Sequence, residues 1–318
     1  MREGGAAVTT EPNLRLLALC AISEVNWHVI AREALRSGLA GLLAGDVAEA
    51  SRDGDKTRQQ LEGGLEQLDE HVERARLVVE SVFDAVGARL VTVLDRAEYP
   101  SNLRVIPNPP PFLFYRGELQ RDDARSVAVV GTRQASADGL ARAARLAENL
   151  AADNVTVISG LAKGIDTQAH SATLAAGGRT IAVIGTGILR TYPKENAELA
   201  ERIVERGAIV SQFWPDAPPT RYSFPMRNAV MSGISQGTAV IEASATSGAK
   251  MQARLALEQG KRAFLMASLV TREDWAQRYL LRGAIEVSDV EDVLRWLRTP
   301  DQVEQQSSQR DQLALELA

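Results

Sequence analysis

The sequence predicts an α/β protein: a doubly wound, mostly parallel sheet preceded by a small helical domain. Two observations carry this. Short apolar runs rich in Val and Ile recur at 126–131, 155–159, 180–185, 208–213, 238–243 and 262–267, with helical patterns between them. Such runs bury both faces of a strand, which is the habit of parallel strands covered by helices. Gly177, Gly207 and Gly260 then stand just past helical runs and just before strands, where helices end.

Taken in order, residues 1–95 read as a helical N-terminal domain. Leu14, Leu16, Leu17, Leu19 and Ile22 form one apolar cluster, and Leu61, Leu65, Leu68, Val72, Ala75 and Val79 recur at helical spacing. Ser51–Gln59 is polar and reads as a loop or a frayed helix start. Residues 96–124 form a connector in which five of the twelve prolines fall between Pro100 and Pro111. Proline at that density stops a helix and favours extended backbone. The connector is expected to pack on the next domain through Phe112, Phe114 and Tyr115. Residues 125–298 carry the βα units; the clearest helical stripe is Leu140, Ala143, Ala144, Ala147, Leu150 and Ala151. Residues 299–318 are polar and Gln-rich until a short Leu-Ala-Leu-Glu-Leu stretch, and are expected to be mostly disordered.

Composition narrows the function classes. The 318 residues carry a net charge of −5, from 36 Lys+Arg against 41 Asp+Glu. That balance excludes nucleic-acid binding by bulk charge but allows a local basic groove. The single cysteine, Cys20, excludes a disulfide-stapled scaffold and a Cys-rich zinc site, and a reducing cytoplasm is expected. His28, His71 and His170 are far apart in sequence, so no metal centre is expected, and no cofactor either. Met1–Pro12 has no apolar core and does not read as a secretory leader. No run approaches the roughly 18 apolar residues of a membrane span.

In an open parallel sheet ligands bind beyond the carboxyl ends of the strands, and the unusual residues fall there. The first strand of the α/β unit runs into Gly131, Thr132 and Arg133, with Ser136 placed to cap a helix. Backbone N–H groups and an arginine at a helix start suit a phosphate, although the glycine also serves a plain turn. The second runs into Ser159, Gly160, Lys163 and Gly164. Asp166 follows as a helix cap, and His170, one turn on, reads as a structural histidine more readily than as a catalytic one. The third ends at Gly185 and Gly187. The fourth leads into an extended Pro-rich segment in which Arg221 and Arg227 interleave with Tyr222 and Phe224, and Asn228 follows; a helix is expected from near Met226. Cations alternating with rings suit an unpaired strand, whose phosphates need charge and whose bases need a π-face. The bland reading is a loop whose rings cover the core. The fifth is followed by Ser247, Gly248 and Lys250, another helix start with a cation, or simply a solvated helix face.

The strings VAVVGTRQAS, VISGLAKGIDTQAH, TIAVIGTGILRTYP, SFPMRN and VIEASATSGA, in this order, resemble the DprA/Smf family (DNA-processing protein A). The resemblance implies an extended Rossmann-like domain that binds single-stranded DNA without catalysis, in natural transformation or recombination. It further implies loading of the recombinase RecA and a homodimer. It maps DNA contacts onto Arg133, Arg221, Phe224, Arg227 and Asn228, with Lys163 as a further contact. The first helices look like a divergent version of the family's SAM-like N-terminal domain. The chain departs from the family pattern at Gln212, at Met266–Leu269 and at Gln252, where the family has Thr, and no winged-helix module is expected after Trp296.

Two other readings stay open. One is a nucleotide sensor or nucleotide N-glycosidic hydrolase, with Glu242 as the one carboxylate to nominate. Its bland role is to cap the Ala243–Gly248 turn. The other is a phage-defence adaptor that has kept the fold and lost the DNA.

Overall fold

The computed structural model describes residues 9–316, with side chains as far as residue 309. The expectation about a leader falls mostly on residues 1–8, which lie outside the described residues, as do residues 317–318.

Four helices come first: α1 (Glu11–Ala21), α2 (Trp27–Leu43), α3 (Arg52–Gly64) and α4 (Leu68–Val86). Their apolar stripes close on one another, and α1 packs along α4. The Asn26 side chain accepts the first free N–H groups of α2, from His28 at 3.0 Å and Val29 at 3.3 Å. Ser51 caps α3 through the Gly54 N–H at 3.0 Å. That cap turns the polar stretch read as a loop or frayed start into helix, with most of its charged side chains in solvent. Gly87 ends α4 in the left-handed region, at φ 66°.

Nine strands form one sheet: β1 (Arg89–Thr92), β2 (Phe112–Gly117), β3 (Ser126–Val130), β4 (Thr156–Ser159), β5 (Thr180–Val183), β6 (Ala208–Ser211), β7 (Gly237–Val240), β8 (Arg262–Met266) and β9 (Ile285–Val287). Their spatial order is β1-β2-β6-β5-β4-β3-β7-β8-β9. From β6 to β9 every pairing is parallel; β1 and β2 pair antiparallel with each other, and β2 pairs antiparallel with β6. The six expected strands are all present, and the sheet is mostly parallel; β1 lies within residues 1–95, read as wholly helical, and joins the sheet instead. The stretch read as a connector holds the short α5 (Ser101–Arg104) and β2, a strand of the sheet itself.

Helices α6 (Ala137–Ala152), α7 (Ile165–Ala175) and α8 (Ala197–Arg206) link strands that run one way across the sheet from β3 to β6. Helices α9 (Ser223–Ile234) and α10 (Gly248–Glu258) link strands on the return. Right-handed crossovers therefore put the two sets on opposite faces; α6 packs on α7, and α9 on α10. The strand order reverses between β3 and β7, and the loops after these two strands diverge above that point. The short helices α11 (Ala267–Arg272), α12 (Asp274–Leu280) and α13 (Glu291–Leu294) close the far edge.

The tail, expected to be disordered, is instead helix α14 (Pro300–Glu316). Composition hides this because among its described residues the helix buries one apolar side chain, Val303, and is otherwise bordered by polar pairs. Arg121 bridges Asp301 at 2.5 Å and Glu304 at 2.6 Å, and Gln236 bonds both the N–H and the carbonyl of Arg298 just ahead. Among the described residues no helix is long and apolar enough to cross a membrane.

An aromatic cluster joins the first helices to the sheet. Trp27 on α2 meets Phe112 on β2 at 5.0 Å between centroids, and Phe112 meets Trp214, just past β6, at 5.6 Å. Trp214 begins the segment that leads to α9, so this cluster anchors one wall of the carboxyl edge. Phe112 is fully buried at its centre. Phe112→Ala is expected to cost about 3–5 kcal/mol, the usual loss for a core aromatic, read as a lower midpoint in urea unfolding.

Candidate nucleic-acid interface

The carboxyl ends of β3, β4, β5 and β7 bring Arg133, Phe224, Arg227 and Asn228 together. Phe224 and Arg227 lie on α9, which starts at Ser223, three residues before the expected Met226. Thr220 and Ser223 exchange hydrogen bonds, the Ser223 N–H donating to Thr220 Oγ1 at 3.0 Å and the Thr220 N–H to Ser223 Oγ at 3.1 Å. That reciprocal pair turns the chain into the helix ahead of Pro225, which sits in the first turn, where its missing N–H costs nothing.

Arg227 is not a surface cation. It is 5% exposed, and its Nη1 donates to the Val183 carbonyl at 3.0 Å. A Cβ on Gly160 would lie 1.5 Å from Arg227 Nη1 and 2.8 Å from Asp166 Oδ2. Glycine is therefore required at 160 by these two opposite charges lying over it. Burial pulls the Arg227 pKa down, while the charge of Asp166 pushes it back up. Burial raises the Asp166 carboxyl, and the Arg227 charge opposes that rise. Asp166 lies inside the first turn of α7, whose cap position is Gly164. Gly164 has φ 79°, and a Cβ there would come 2.4 Å from the Thr132 carbonyl, so the loops after β3 and β4 touch backbone to backbone.

Phe224 is shared by two guanidinium groups. Arg133 lies 5.5 Å and Arg227 6.0 Å from its ring centroid. Arg133 is exposed and has no carboxylate partner among the described residues. On the other side Tyr192 packs against Phe224 at 5.9 Å and is largely exposed, which extends the aromatic surface. Tyr192 was assigned no contact from the sequence; a ring in the loop that follows β5 was the signal available. Arg221 is exposed and lies flat on the Tyr222 ring at 4.6 Å, and its Nη2 donates to the Tyr222 hydroxyl.

Other expected contacts are placed differently. Ser159 is fully buried, with its hydroxyl donating to the Val129 carbonyl at 2.7 Å, so it ties β4 to β3 and does not face the groove. Lys163 is exposed but paired with Glu195 at 2.6 Å. Lys250 donates to the Ala245 carbonyl at 3.1 Å, within its own loop. The Thr132 and Ser136 N–H groups after β3 are not free for a phosphate. The Thr132 N–H goes to the Glu242 carbonyl at 2.7 Å, and the Ser136 N–H and hydroxyl go to Glu242 Oε2 at 3.1 and 2.9 Å. Glu242 therefore caps α6 across the β3–β7 seam, and not its own turn. Ser247 caps α10 through the Ala249 N–H at 3.0 Å.

His170 is structural. It is fully buried, and its Nδ1 lies 2.7 Å from Thr180 Oγ1, whose own proton goes to the Val157 carbonyl at 2.7 Å. The hydroxyl therefore accepts from Nδ1–H. Burial, with the Arg227 charge beside it, pushes the His170 pKa down to about 3.

Between these walls lies a cavity of about 410 Å³, bounded by Gly131, Thr132, Arg133, Phe224, Arg227 and Asn228 on one side and by Ser247, Gly248 and Gln252 on the other. It sits where the strand order reverses, the usual ligand position in open α/β sheets. A cavity at that reversal, with Phe224 and the exposed Arg133 at its mouth and Arg227 buried in its wall, defines a Rossmann-like α/β protein with arginines at its carboxyl edge. The chain belongs to the family described as DNA recombination-mediator protein A, whose family model it matches over residues 90–298. This agrees with the resemblance carried by the strand-end motifs. Protein Smf of Escherichia coli (strain K12) is 39% identical over 207 residues, 64% of this chain and 55% of that protein. The chain thus spans about half the length of that relative. DNA processing protein DprA of Streptococcus pneumoniae (strain R6) is 37% identical over 198 residues, 62% of this chain and 70% of that protein. In structure, the chain is similar to DNA processing protein A from Streptococcus pneumoniae, with a TM-score of 0.74 and 30% identity over 90% of this chain and 98% of that one. DNA processing protein A from Helicobacter pylori, studied for its single-stranded DNA binding mode, shares the fold at a TM-score of 0.58 and 24% identity, over 65% of this chain and 94% of that one.

A histidine whose pKa is depressed by folding stabilises the protein fully above its unfolded value and progressively less as the pH falls towards the folded one. With folded and unfolded values of about 3 and 6.5, lowering the pH from 7 to 5 should cost about 2 kcal/mol through His170 alone. Chemical denaturation at the two pH values checks this, with His170→Phe expected to lack that part of the loss.

Proposed function

We propose that this protein binds single-stranded DNA without catalysis, as a recombination mediator, along the carboxyl edge of its sheet. One observation carries the reading: Arg133 and Arg227 converge on the Phe224 ring at the mouth of the cavity. An unpaired strand offers what that grouping takes, phosphates for the exposed Arg133 and Arg221 and an unstacked base for Phe224 and Tyr192. Duplex DNA keeps its bases stacked and gives the rings nothing to hold. The single-strand binding named for the Helicobacter pylori protein supports the same direction. Glu242, the carboxylate nominated for hydrolysis, is committed to Ser136 and lies outside the cavity lining, and Asp166, the carboxylate within it, faces Arg227, which speaks for binding over hydrolysis. A homodimer and delivery of the strand to a RecA-type recombinase belong to the same proposal and rest on family membership alone.

The test is fluorescence anisotropy with a labelled oligonucleotide, single-stranded or duplex, at two salt concentrations. The single strand is expected to bind more tightly than the duplex. Phe224→Ala should cost about 1–3 kcal/mol of binding. Arg133→Ala should weaken binding and reduce the salt slope by about 0.7, the share of one phosphate contact. Both variants binding like the parent at both salts would overturn the assignment.

A further inference from the structure

A second cavity, of about 220 Å³, lies under α14. The turn Arg121–Ala124 beside it leads into β3, so it sits at the amino edge of the sheet, opposite the groove just described. Tyr99, Ile181 and Ile234 line its inner side, and the exposed Arg96 and Arg121 stand at its rim. The helix covers it with Ser307 and Ser308. Val303 and Ser307, one turn apart, are the buried side chains of α14 among those described. A serine above an apolar floor leaves the space beneath it unfilled, where a larger apolar side chain would gain buried contacts.

Charge and hydrogen bonds at its margin hold the helix in place. Arg121, Asp301 and Glu304 are each more than half exposed, and Arg96 Nη2 donates to Ser308 Oγ at 3.0 Å. Ion pairs in solvent contribute little and are screened by salt. The start of α14 is encoded apart from its docking. The Thr299 N–H donates to Gln302 Oε1 at 3.0 Å and the Gln302 N–H to Thr299 Oγ1 at 3.4 Å, a reciprocal cap. Gln236 fastens the Arg298 backbone just ahead, so the helix carries its own cap on a fixed pivot. It also lies beyond residues 90–298, the part that the family model matches.

We propose that this amino-edge groove is a protein-docking site of which α14 is the built-in occupant, and that its outside partner is an acidic helix with a large apolar residue where α14 has Ser307. The seated helix specifies the visitor. Its carboxylates at 301 and 304, three residues apart, both meet Arg121, its apolar residue at 303 is buried, and its residue at 307 lies over the cavity. α14 supplies the charges and stops short of the floor. Its tether keeps it at the groove at high effective concentration in spite of a weak grip. A visitor that also fills the cavity gains what α14 lacks and displaces it. The proposal stands apart from the single-strand reading, because Arg121 and Arg133 belong to opposite edges of the sheet.

Fluorescence anisotropy with a labelled peptide of residues 299–318 carrying Ser307→Leu tests this on three full chains. These are the parent, Asp301→Arg/Glu304→Arg, in which α14 is repelled from Arg121, and Arg121→Glu, in which the groove repels the peptide. The peptide is expected to bind the doubly substituted chain about tenfold more tightly than the parent, where it competes with the tethered helix. Without Ser307→Leu it should bind that chain about tenfold more weakly. Arg121→Glu should bind the acidic peptide poorly and regain binding with a peptide that also carries Asp301→Arg and Glu304→Arg; that recovery separates charge pairing from a misfolded groove. In the parent, raising the salt concentration should speed hydrogen exchange at amides 303–309 while those of β3 and β7 stay protected. A peptide that binds all three chains alike, or none of them, overturns the proposal. So do α14 amides that remain as protected as β3 at high salt.

Discussion

Arg227 carries its charge at the meeting point of four segments, the ends of β4 and β5 and the first turns of α7 and α9. A guanidinium taken out of water has to be met there by opposite charge and by carbonyl oxygen. Asp166 and the Val183 carbonyl do this, and the missing side chain of Gly160 leaves the room. These demands fix where the loop after β4 can run and how α9 enters the sheet edge. His170 beside them is held neutral, first by its burial and then by the charge of Arg227. Phe224, one turn before Arg227 on α9, inherits its position from this buried charge. Removing Arg227 would therefore leave Asp166 buried and uncompensated, so a loss of binding on its substitution would mix folding with contact. Arg133, exposed on the same ring, separates the two.

The second constraint is mechanical. The segment from Phe213 to Tyr222 is rich in proline and has no strand partner, yet it brings Arg221 and Tyr222 to the groove. Trp214 pins its beginning to Phe112 and Trp27, and the Thr220–Ser223 pair pins its end to α9. The antiparallel strands β1 and β2, which lengthen the sheet beyond the parallel core, are what bring the first helices to that point.

The parallel core was legible because strands buried on both faces are written as unbroken apolar runs, and each of the six fell within three residues of its place. β1 and β2 were harder to see, because their antiparallel pairing depends on partners far along the chain and β2 follows a run of prolines. Arg133, Phe224 and Arg227 were legible as chemistry, from a strand-end glycine loop and from cations set among rings. What they do in space was not. Nothing local says that Lys163 meets Glu195, thirty-two residues on, or that the N–H of Thr132 is taken by the carbonyl of Glu242. Gln252 stood out in the sequence only as a departure from the family's Thr; that its buried amide lacks a partner among the described residues is a property of the packed state. The terminal helix was hidden for a related reason: it docks through Val303 and through polar partners far away in sequence, such as Arg121, and not through an apolar stripe.

Glu242 changes the electrostatic character of the edge. In many sheets of this kind the amino end of the helix after the leading strand seats a ligand's phosphate, held by fixed backbone dipoles. Here a carboxylate of the protein already occupies that seat. Any anion arriving at the seam is turned away from the helix and left to mobile, hydrated side chains at the rim. On the single-strand reading proposed above, such a grip would loosen as ionic strength rises and would let the strand shift along the edge instead of locking in one register.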